Sequence, residues 1–200
     1  FRLSDESYAF PNPVYAEENG LLAIGGDLSP GRLVNAYVNG IFPWYNEGEP
    51  IMWWCPKERF VIIPGEIHIS RSMKKFMKRT DFRVTFDTSF SSVLHLCRIT
   101  RENKEGTWIT DDMEAAYNRL FELGLASSCE VWYDDKLAGG LYGVRIGRCF
   151  FGESMFSVAE NASKIALISL AGYLEKQGFE RCGIIYVPDG TPRIAFEWGR

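Results

Sequence analysis

Apolar and polar residues alternate with a period of two in several short runs of this chain, and this alternation predicts strands. Three runs in the second half follow one another closely, separated only by short turns at Asp134–Asp135 and Ile146–Gly147. Such a succession is typical of antiparallel hairpins. The predicted strands are 60–63, 82–86, 129–133, 136–145 and 148–151.

Apolar residues at helical spacing predict helices around these hairpins. One starts with Ser29 as N-cap and Pro30 in its first turn, and it stops at Gly40. Antiparallel hairpins that lead into one long helix indicate a mixed α+β fold. The other predicted helices are a basic one after Ser70, 90–99, 111–121 with a capping box from Asp111 to Glu114, and 161–177.

The segment Phe150–Ser157 carries the first candidate chemistry. Phe150 and Phe151 are typical of a buried strand end, and Gly152 allows a close approach of the backbone before Glu153 and Ser154. A carboxylate beside apolar residues is costly to bury unless it meets a cation or a donor. A ligand amine is a natural partner for Glu153, and a nearby Lys or Arg is the alternative.

The composition allows a sizeable core, because 46% of the 200 residues are hydrophobic. This length fits one domain, or a main domain with a smaller lobe. The chain contains neither an apolar run of about 20 residues, as a membrane span needs, nor a signal-peptide pattern. Five widely spaced cysteines without a Cys-x-x-Cys motif, and only two histidines, favour reduced thiols in the cytoplasm and disfavour a zinc site.

One short segment is strongly basic, although the net charge of the chain is −4. Residues 70–80 contain five cations and no acid, so the remaining 17 cations and 26 acids sum to −9. A basic segment on an acidic body predicts a localised contact with a polyanion such as a phosphate backbone. A solvated helix face is the alternative interpretation. The cations are Arg71, Lys74, Lys75, Lys78 and Arg79.

Tryptophans mark two further candidate regions. Trp44 and the Trp53–Trp54 pair lie in an aromatic stretch that either lines a ligand site or forms the core of a small lobe. Trp108 lies in a loop before a predicted helix, where it either stacks on a base or an aromatic group or packs onto the core.

Eight segments form a collinear series of motifs: Asn19–Leu28, Gly40–Trp44, Trp53–Trp54, His68–Lys74, Glu105–Ile109, Gly139–Val144, Phe151–Ser157 and Asn161–Lys164. In this order they resemble the bacterial leucyl/phenylalanyl-tRNA–protein transferases, and the match extends from Leu3 to about Gly178. The resemblance implies a small N-terminal lobe at 1–63. It also implies an acetyltransferase-like (GNAT-type) domain at 64–200, with an antiparallel-rich mixed sheet and flanking helices.

The function that this resemblance implies is aminoacyl transfer. The family moves Leu or Phe, and also Met, from aminoacyl-tRNA to the N-terminal amine of proteins that begin with Arg or Lys, which marks them for degradation. The resemblance implies no cofactor and no metal, and we expect a cytoplasmic monomer with no membrane contact.

The resemblance also assigns roles to individual residues. It places Glu153 near the reacting amine, flanked by Gly152 and Ser154, and it places Leu141 in an apolar side-chain pocket. The basic helix would grip the tRNA acceptor stem through Arg71, Lys74, Lys75, Lys78 and Arg79. The residues that would line the site for the tRNA 3′ end and its amino acid are Tyr37, Trp44, Trp108 and Phe150.

The chain departs from the family pattern after Gly178. With Cys182 aligned to the family's Asp-Cys-Gln segment, Arg181 stands in place of the Asp that helps to deprotonate the attacking amine, and Gly183 in place of the Gln. Residues 190–195 can be encoded so that a one-base shift gives the family's His-Leu-x-Ser-Leu motif. We therefore expect a reading-frame error or a decayed, incomplete end, with aminoacyl-tRNA binding retained and transfer slow or lost.

Two other functions remain open from the sequence. The altered end is compatible with a non-catalytic protein that binds the tRNA acceptor. The implied fold is also used by small-molecule acyltransferases with an acyl-thioester cofactor. Against the latter, the glycine-rich phosphate cradle of those enzymes is absent before Asn161.

Overall fold

The computed structural model describes residues 1–59, 62–79, 81–105, 107–147, 149–178, 181–186 and 192–197. For residues 102–105 and the last two stretches, this description covers the backbone only. No helix in these ranges combines the length and the hydropathy that crossing a membrane requires.

The N-terminal part forms a small four-stranded sheet and one helix. The strands, in the order β1-β2-β4-β3, are β1 (Arg2–Leu3), β2 (Leu21–Gly25), β3 (Phe42–Pro43) and β4 (Met52–Trp54). Helix α1 (Pro30–Val38) has Ser29 as its N-cap and ends before Gly40, whose φ of +68° favours glycine. This confirms the predicted start and stop of the first helix.

The larger sheet has six antiparallel strands in the order β5-β6-β7-β8-β10-β9. Four helices accompany it, and the combination confirms the α+β class. The strands are β5 (Arg83–Phe86), β6 (Ala126–Tyr133), β7 (Lys136–Ile146), β8 (Cys149–Ser157), β9 (Arg181–Tyr186) and β10 (Pro192–Glu197). The helices are α2 (Arg71–Met77), α3 (Phe90–Glu105), α4 (Asp111–Glu122) and α5 (Ala162–Lys176).

Two apolar clusters cover the two faces of the larger sheet. The first joins the N-terminal sheet and α1 to α3 and α4, and the stacked rings of Phe90 and Phe121, 4.4 Å apart, lie in it. The second packs α2 and α5 against the opposite face, with Leu170 and Leu174 of α5 buried there. Because α1 and α4 share the first cluster, side chains from both reach the centre of the larger sheet.

Several predicted boundaries are corrected by the structure. Ile62 and Ile63 precede a 3₁₀ helix instead of forming a strand, while 60–61 lie outside the described residues. Helix α3 continues to Glu105, beyond the predicted 90–99. Thr110, one residue before the predicted capping box, is the N-cap of α4, and its hydroxyl accepts from the Met113 amide.

Candidate active site

The centre of the larger sheet carries a β-bulge at Glu153. Tyr142 of β7 pairs with Ser154 and the next residue, Gly143, pairs with Gly152, so Glu153 has no opposite residue on β7. A bulge of this kind twists the strand and redirects a side chain. The strand predicted at 148–151 was too short, because β8 continues to Ser157 and holds Glu153 in its interior.

The bulge changes which side chains of β8 share a face. Phe151 and Phe156 both belong to the first apolar cluster, although regular alternation would put residues five apart on opposite faces. Between them, Glu153 hydrogen-bonds to residues of α1 and α4, and Ser154 accepts a hydrogen bond from Arg101 Nε of α3 at 3.1 Å. The side chains of Glu153 and Ser154, although successive in the strand, therefore point to the same face of the larger sheet.

Glycine is needed opposite this bulge. A Cβ atom on Gly143 would lie 2.2 Å from the Phe151 carbonyl oxygen and 2.6 Å from the Phe150 ring. Gly152, its partner across the ladder, is buried as well. The close approach of backbone at Gly152 that the sequence predicts is thus an approach of two neighbouring strands.

Glu153, Tyr37 and Tyr117 form a closed ring of hydrogen bonds at the bulge. Tyr37 Oη donates to Glu153 Oε1 at 2.8 Å, and Tyr117 Oη donates to Oε2 at 3.0 Å. The two tyrosine oxygens are 2.6 Å apart. The exposed fractions are 1% for Glu153, 2% for Tyr37 and 0% for Tyr117. The ring therefore ties α1 and α4 to the bulge in a site closed to solvent.

Cys97 of α3 packs beside Ser154 and is fully buried. Burial raises the pKa of the Cys97 thiol to about 12, although Ser154 and Arg101 oppose this shift. The thiolate is the nucleophilic form of cysteine. Cys97 is therefore neutral near pH 7 and is not a candidate nucleophile.

Leu141 and Phe150 lie on the opposite face of the sheet from the ring. Both are buried in the second cluster, with Leu170 and Leu174 of α5. Leu141 pairs across the ladder with the half-buried Met155. The structure thus brings Tyr37 and Glu153 together, and it places the two apolar site residues on the α5 side of the same strands.

The two tryptophans of the predicted site differ in exposure. Trp108 is 4% exposed and belongs to the first cluster, so of the two interpretations the structure supports packing onto the core. Trp44 is half-buried and packs edge-on against Trp54 at 5.6 Å. Its indole Nε1 is buried and has no hydrogen-bond partner among the residues that the structure describes.

The basic segment forms an exposed helix face. Met73 is buried and Phe76 half-buried beneath it, which leaves the cations on the outer side. None of the five cations forms an ion pair with a described side chain. Helix α2 ends at Met77, so the last two cations follow the helix. The exposed cations are Arg71, Lys74, Lys75, Lys78 and Arg79.

A groove of about 640 Å³ separates α2 from the start of α5. Ile69, Phe76 and Leu167 contribute apolar walls, and Ser70 and Lys164 contribute polar groups. The sequence analysis did not predict this groove, because residues nearly 100 positions apart form it.

Tyr117 was also missed by sequence reasoning. It is buried on α4 together with Met113, Ala116 and Leu120, at the spacing of an ordinary core-facing stripe. No local signal distinguishes its hydroxyl from that of any other buried tyrosine. Two tyrosines hydrogen-bond to Glu153, a kind of partner that the sequence analysis did not consider beside a ligand amine or a basic side chain.

The chain after Gly178 continues as two strands of the larger sheet. β10 pairs with β8 through Ala195 and Phe151, and β9 lies beyond it at the edge. Arg181 and Gly183 are therefore on a strand that is separated from β8 by β10.

The fold and the site define an α+β protein with a buried carboxyl group at a bulged strand and a basic helix on its surface. A family model described as leucyl/phenylalanyl-tRNA protein transferase matches residues 61–185. A second, for the N-terminal domain of the same proteins, matches residues 26–57. The chain belongs to this family.

Curated relatives named leucyl/phenylalanyl-tRNA–protein transferase are similar over most of the chain. The protein of Syntrophus aciditrophicus is 58% identical over 167 residues, which cover 83% of this chain and 70% of that protein. For Desulfatibacillum aliphaticivorans the identity is 53% over 176 residues, 88% of this chain and 76% of that protein. For Pectobacterium atrosepticum the identity is 51% over 180 residues, which cover 89% of this chain and 76% of that protein.

Proposed function

We propose that this protein transfers Leu or Phe, and also Met, from aminoacyl-tRNA to the N-terminal amine of proteins that begin with Arg or Lys. The observation that carries the proposal is the buried Glu153 at the bulge, within a chain that belongs to the transferase family. A transferred Leu or Phe then marks the acceptor protein for degradation. The same proposal places the reaction in the cytoplasm and the protein in a monomeric state.

The reaction is the aminolysis of an ester. The acceptor nitrogen forms a bond to the aminoacyl carbonyl carbon, and the bond from that carbon to the ribose oxygen of the tRNA breaks. One proton leaves the amine and one reaches the departing oxygen. An α-amine with a pKa of about 8 is partly neutral near pH 7, so positioning and proton removal account for much of the catalysis.

Glu153 is the group that we assign to the reacting centre, with Tyr37 and Ser154 beside it. The bulge fixes the direction of its side chain, and hydrogen bonds to Tyr37 and Tyr117 restrict its rotation. A group held in this way loses little conformational entropy when the substrates bind. Its role is to orient the amine or the aminoacyl group.

Substrate binding is assigned to three further residues. The Nε1–H of Trp44, which has no hydrogen-bond partner among the described residues, is a donor for an oxygen of the tRNA 3′ end. Leu141 and Phe150 form part of an apolar region that suits a Leu or Phe side chain. Trp108, buried in the first cluster, supports this site instead of stacking on a base.

The basic face of α2 is assigned to the acceptor stem of the tRNA. Its cations are exposed and unpaired with described carboxylates, so they are available for phosphates. Such contacts supply affinity without reading sequence. Arg71, Lys74 and Lys75 lie on α2, and Lys78 is its C-cap, at the spacing of one helix face.

The domain division is part of the same proposal. We assign residues 1–63 to a small lobe that contributes Tyr37 and Trp44, and residues 64–200 to an acetyltransferase-like domain. The antiparallel sheet with a bulged central strand supports this assignment. In it, the ring between Tyr37, Tyr117 and Glu153 joins the two parts.

The test is transfer of labelled Leu from charged tRNA to a peptide that begins with Arg. We expect label in this peptide and none in the same peptide with an acetylated N-terminus, because acetylation removes the nucleophilic amine. The second candidate is a non-catalytic binder of aminoacyl-tRNA, favoured by Arg181 in place of the family's Asp. Binding of charged tRNA without any transfer would support that candidate.

A further inference from the structure

We propose that Arg101 is a positioning residue that acts through Ser154, by anchoring the side of the bulge on which the pairing of β7 and β8 resumes. The kinetic part of this inference rests on the proposed function. The anchoring contact does not, because it is a feature of the fold and can be measured without tRNA.

Arg101 occupies a position of α3 where the pattern of the helix calls for an apolar residue. The buried side chains among those described for α3 are Phe90, Val93, Leu94 and Cys97, at the spacing of one helix face. Arg101 follows Cys97 by four residues and continues this face, half-buried. A charged residue on a core-facing stripe departs from the local pattern, and such departures are expected at functional sites.

The Arg101 side chain reaches the bulge through Ser154. Its Nε–H donates to Ser154 Oγ at 3.1 Å, and Ser154 is 5% exposed. The Cys97 thiol belongs to the same group. A hydrogen bond with Ser154 and the charge of Arg101 both oppose the effect of burial, which raises the pKa of Cys97 to about 12. Because hydrogen bonds from charged donors are stronger than those between neutral groups, this contact ties α3 firmly to β8.

Ser154 is the residue at which the ladder regains its register after the bulge. Ser154 pairs with Tyr142, Gly152 pairs with Gly143, and Glu153 between them has no opposite residue on β7. Successive side chains of a regular strand alternate between the two faces, so a shift of the bulge by one residue would change which side chains share a face. The direction of Glu153 therefore depends on holding the residues on both sides of the bulge.

Separate contacts hold the two sides. Before the bulge, the strands approach so closely at Gly143 that a Cβ there would lie 2.2 Å from the Phe151 carbonyl oxygen. After the bulge, Arg101 holds Ser154 from outside the sheet. The hydrogen bonds of the tyrosines act on Glu153 itself. Arg101 thus complements the packing of the two strands.

A fixed Ser154 suits the proposed reaction, because Glu153 has to be directed at the reacting groups. A misplacement of about 1 Å can cost a factor of about 100 in rate. Arg101 acts at a distance from the substrates, by limiting the movement of Ser154. Its loss should therefore lower kcat and leave the binding of aminoacyl-tRNA nearly unchanged.

The first experiment measures Leu transfer by Arg101→Gln, by Ser154→Ala and by the double variant. We expect each single change to lower kcat by about 10-fold or more, while the KM for aminoacyl-tRNA stays within about twofold. The double variant should be no slower than the slower single variant, because both changes remove the same contact. Losses that multiply, or an unchanged kcat in folded Arg101→Gln, would overturn the proposal.

Arg98→Gln is the matched control, on the same helix. The ion pairs of Arg98 are with Asp111 and Glu114 of α4, not with β8. We expect its kcat to stay within about twofold of the wild type. A loss as large as that in Arg101→Gln would mean that any weakening of α3 slows transfer, and the specific role of Arg101 would be overturned.

The second experiment measures the anchoring contact without tRNA. Cys97 and Cys129 are buried in the first and second clusters, so modification of each thiol by iodoacetamide reports opening on its own face of the sheet. Peptide mass spectrometry gives both rates in one sample. In Arg101→Gln we expect the ratio of the Cys97 rate to the Cys129 rate to rise by about 10-fold over the wild type. Global unfolding would raise both rates alike.

An unchanged ratio in folded Arg101→Gln would overturn the anchoring of Ser154 by Arg101. The ratio decides this point whether or not the protein transfers amino acids. No transfer by the wild type, with the ratio raised as expected in Arg101→Gln, would contradict the proposed function and support the anchoring contact.

Discussion

Leu141 lies on the opposite face of the larger sheet from the hydrogen-bonded ring that Glu153 forms with Tyr37 and Tyr117. Glu153 and Ser154 point toward α1, α3 and α4, whereas Leu141 and Phe150 point toward α5. The structure therefore brings Glu153 and Ser154 together on one face of the sheet, and it places Leu141 and Phe150 apart from them on the other face.

We expect the apolar region that we assign to the substrate side chain, around Leu141 and Phe150, to accept Leu, Phe and Met over Val and Ile. One methylene in an apolar pocket is worth about 1–3 kcal/mol, and branching at Cβ changes the shape of the side chain near the backbone. Transfer rates from one tRNA body charged with each amino acid measure this preference. Equal transfer of Val would contradict the assigned pocket.

Leu141→Ala should shift the preference toward Phe, because the shorter side chain leaves room beside the cluster of α5. We expect the ratio of Phe to Leu transfer to rise by about 10-fold. Leu94→Ala is the control, since Leu94 is equally buried but lies in the first cluster. It should lower stability and leave the ratio unchanged.

At the scale of elements, the bulge in β8 depends on the glycine opposite it. Gly143→Ala would bring a methyl group to 2.2 Å from the Phe151 carbonyl oxygen, which neither strand can avoid without shifting. We expect a loss of about 1–3 kcal/mol in the free energy of unfolding, measured by denaturant titration. Transfer activity should fall as well, because Glu153 loses its direction.

Gly172→Ala is the matched control for this prediction. Gly172 lies in the interior of α5, and a Cβ there meets no atom within 4 Å. Replacing glycine by alanine in a helix interior stabilises by up to about 1 kcal/mol. If both variants were equally stable, the bulge would not require glycine.

The basic face of α2 gives a prediction of its own. Replacing Lys74, Lys75 and Lys78 by Ala should weaken tRNA binding, and it should flatten the salt dependence by roughly 0.7–0.9 log units for each lost phosphate contact. The buried Met73 is not touched, so the helix should remain folded. An unchanged salt slope would identify this face as ordinary solvated surface.

Elements with local signals were predictable, and those that depend on distant contacts were not. Helix α1 has a proline in its first turn and a glycine after its end, and both signals are in the sequence itself. The continuation of β8 past Gly152 depends on β7, because the bulge exists only in their pairing. Trp108 and Tyr117 show the same limit in the site, since their surroundings come from other parts of the chain.

At the scale of the whole molecule, the end of the chain is the place where sequence and family pattern diverge. If Cys182 is aligned with the Cys of the family's Asp-Cys-Gln segment, Arg181 stands in place of the Asp and Gly183 in place of the Gln. We expect this divergence to slow transfer while aminoacyl-tRNA still binds. Sequencing the gene beyond the Gly178 codon tests its origin, because codons that give the family motif in no frame would eliminate a reading-frame error.

The central claim is aminoacyl transfer at Glu153, and the most direct measurement is the rate of labelled Leu transfer to an Arg-initiated peptide. Three proteins are compared: this chain, the same chain with Arg181→Asp and Gly183→Gln, and that double variant with Glu153→Gln. We predict slow transfer by the first, faster transfer by the second, and loss of most of that activity in the third without loss of folding. Failure of the first two to transfer, although both are folded and bind charged tRNA, would contradict the account.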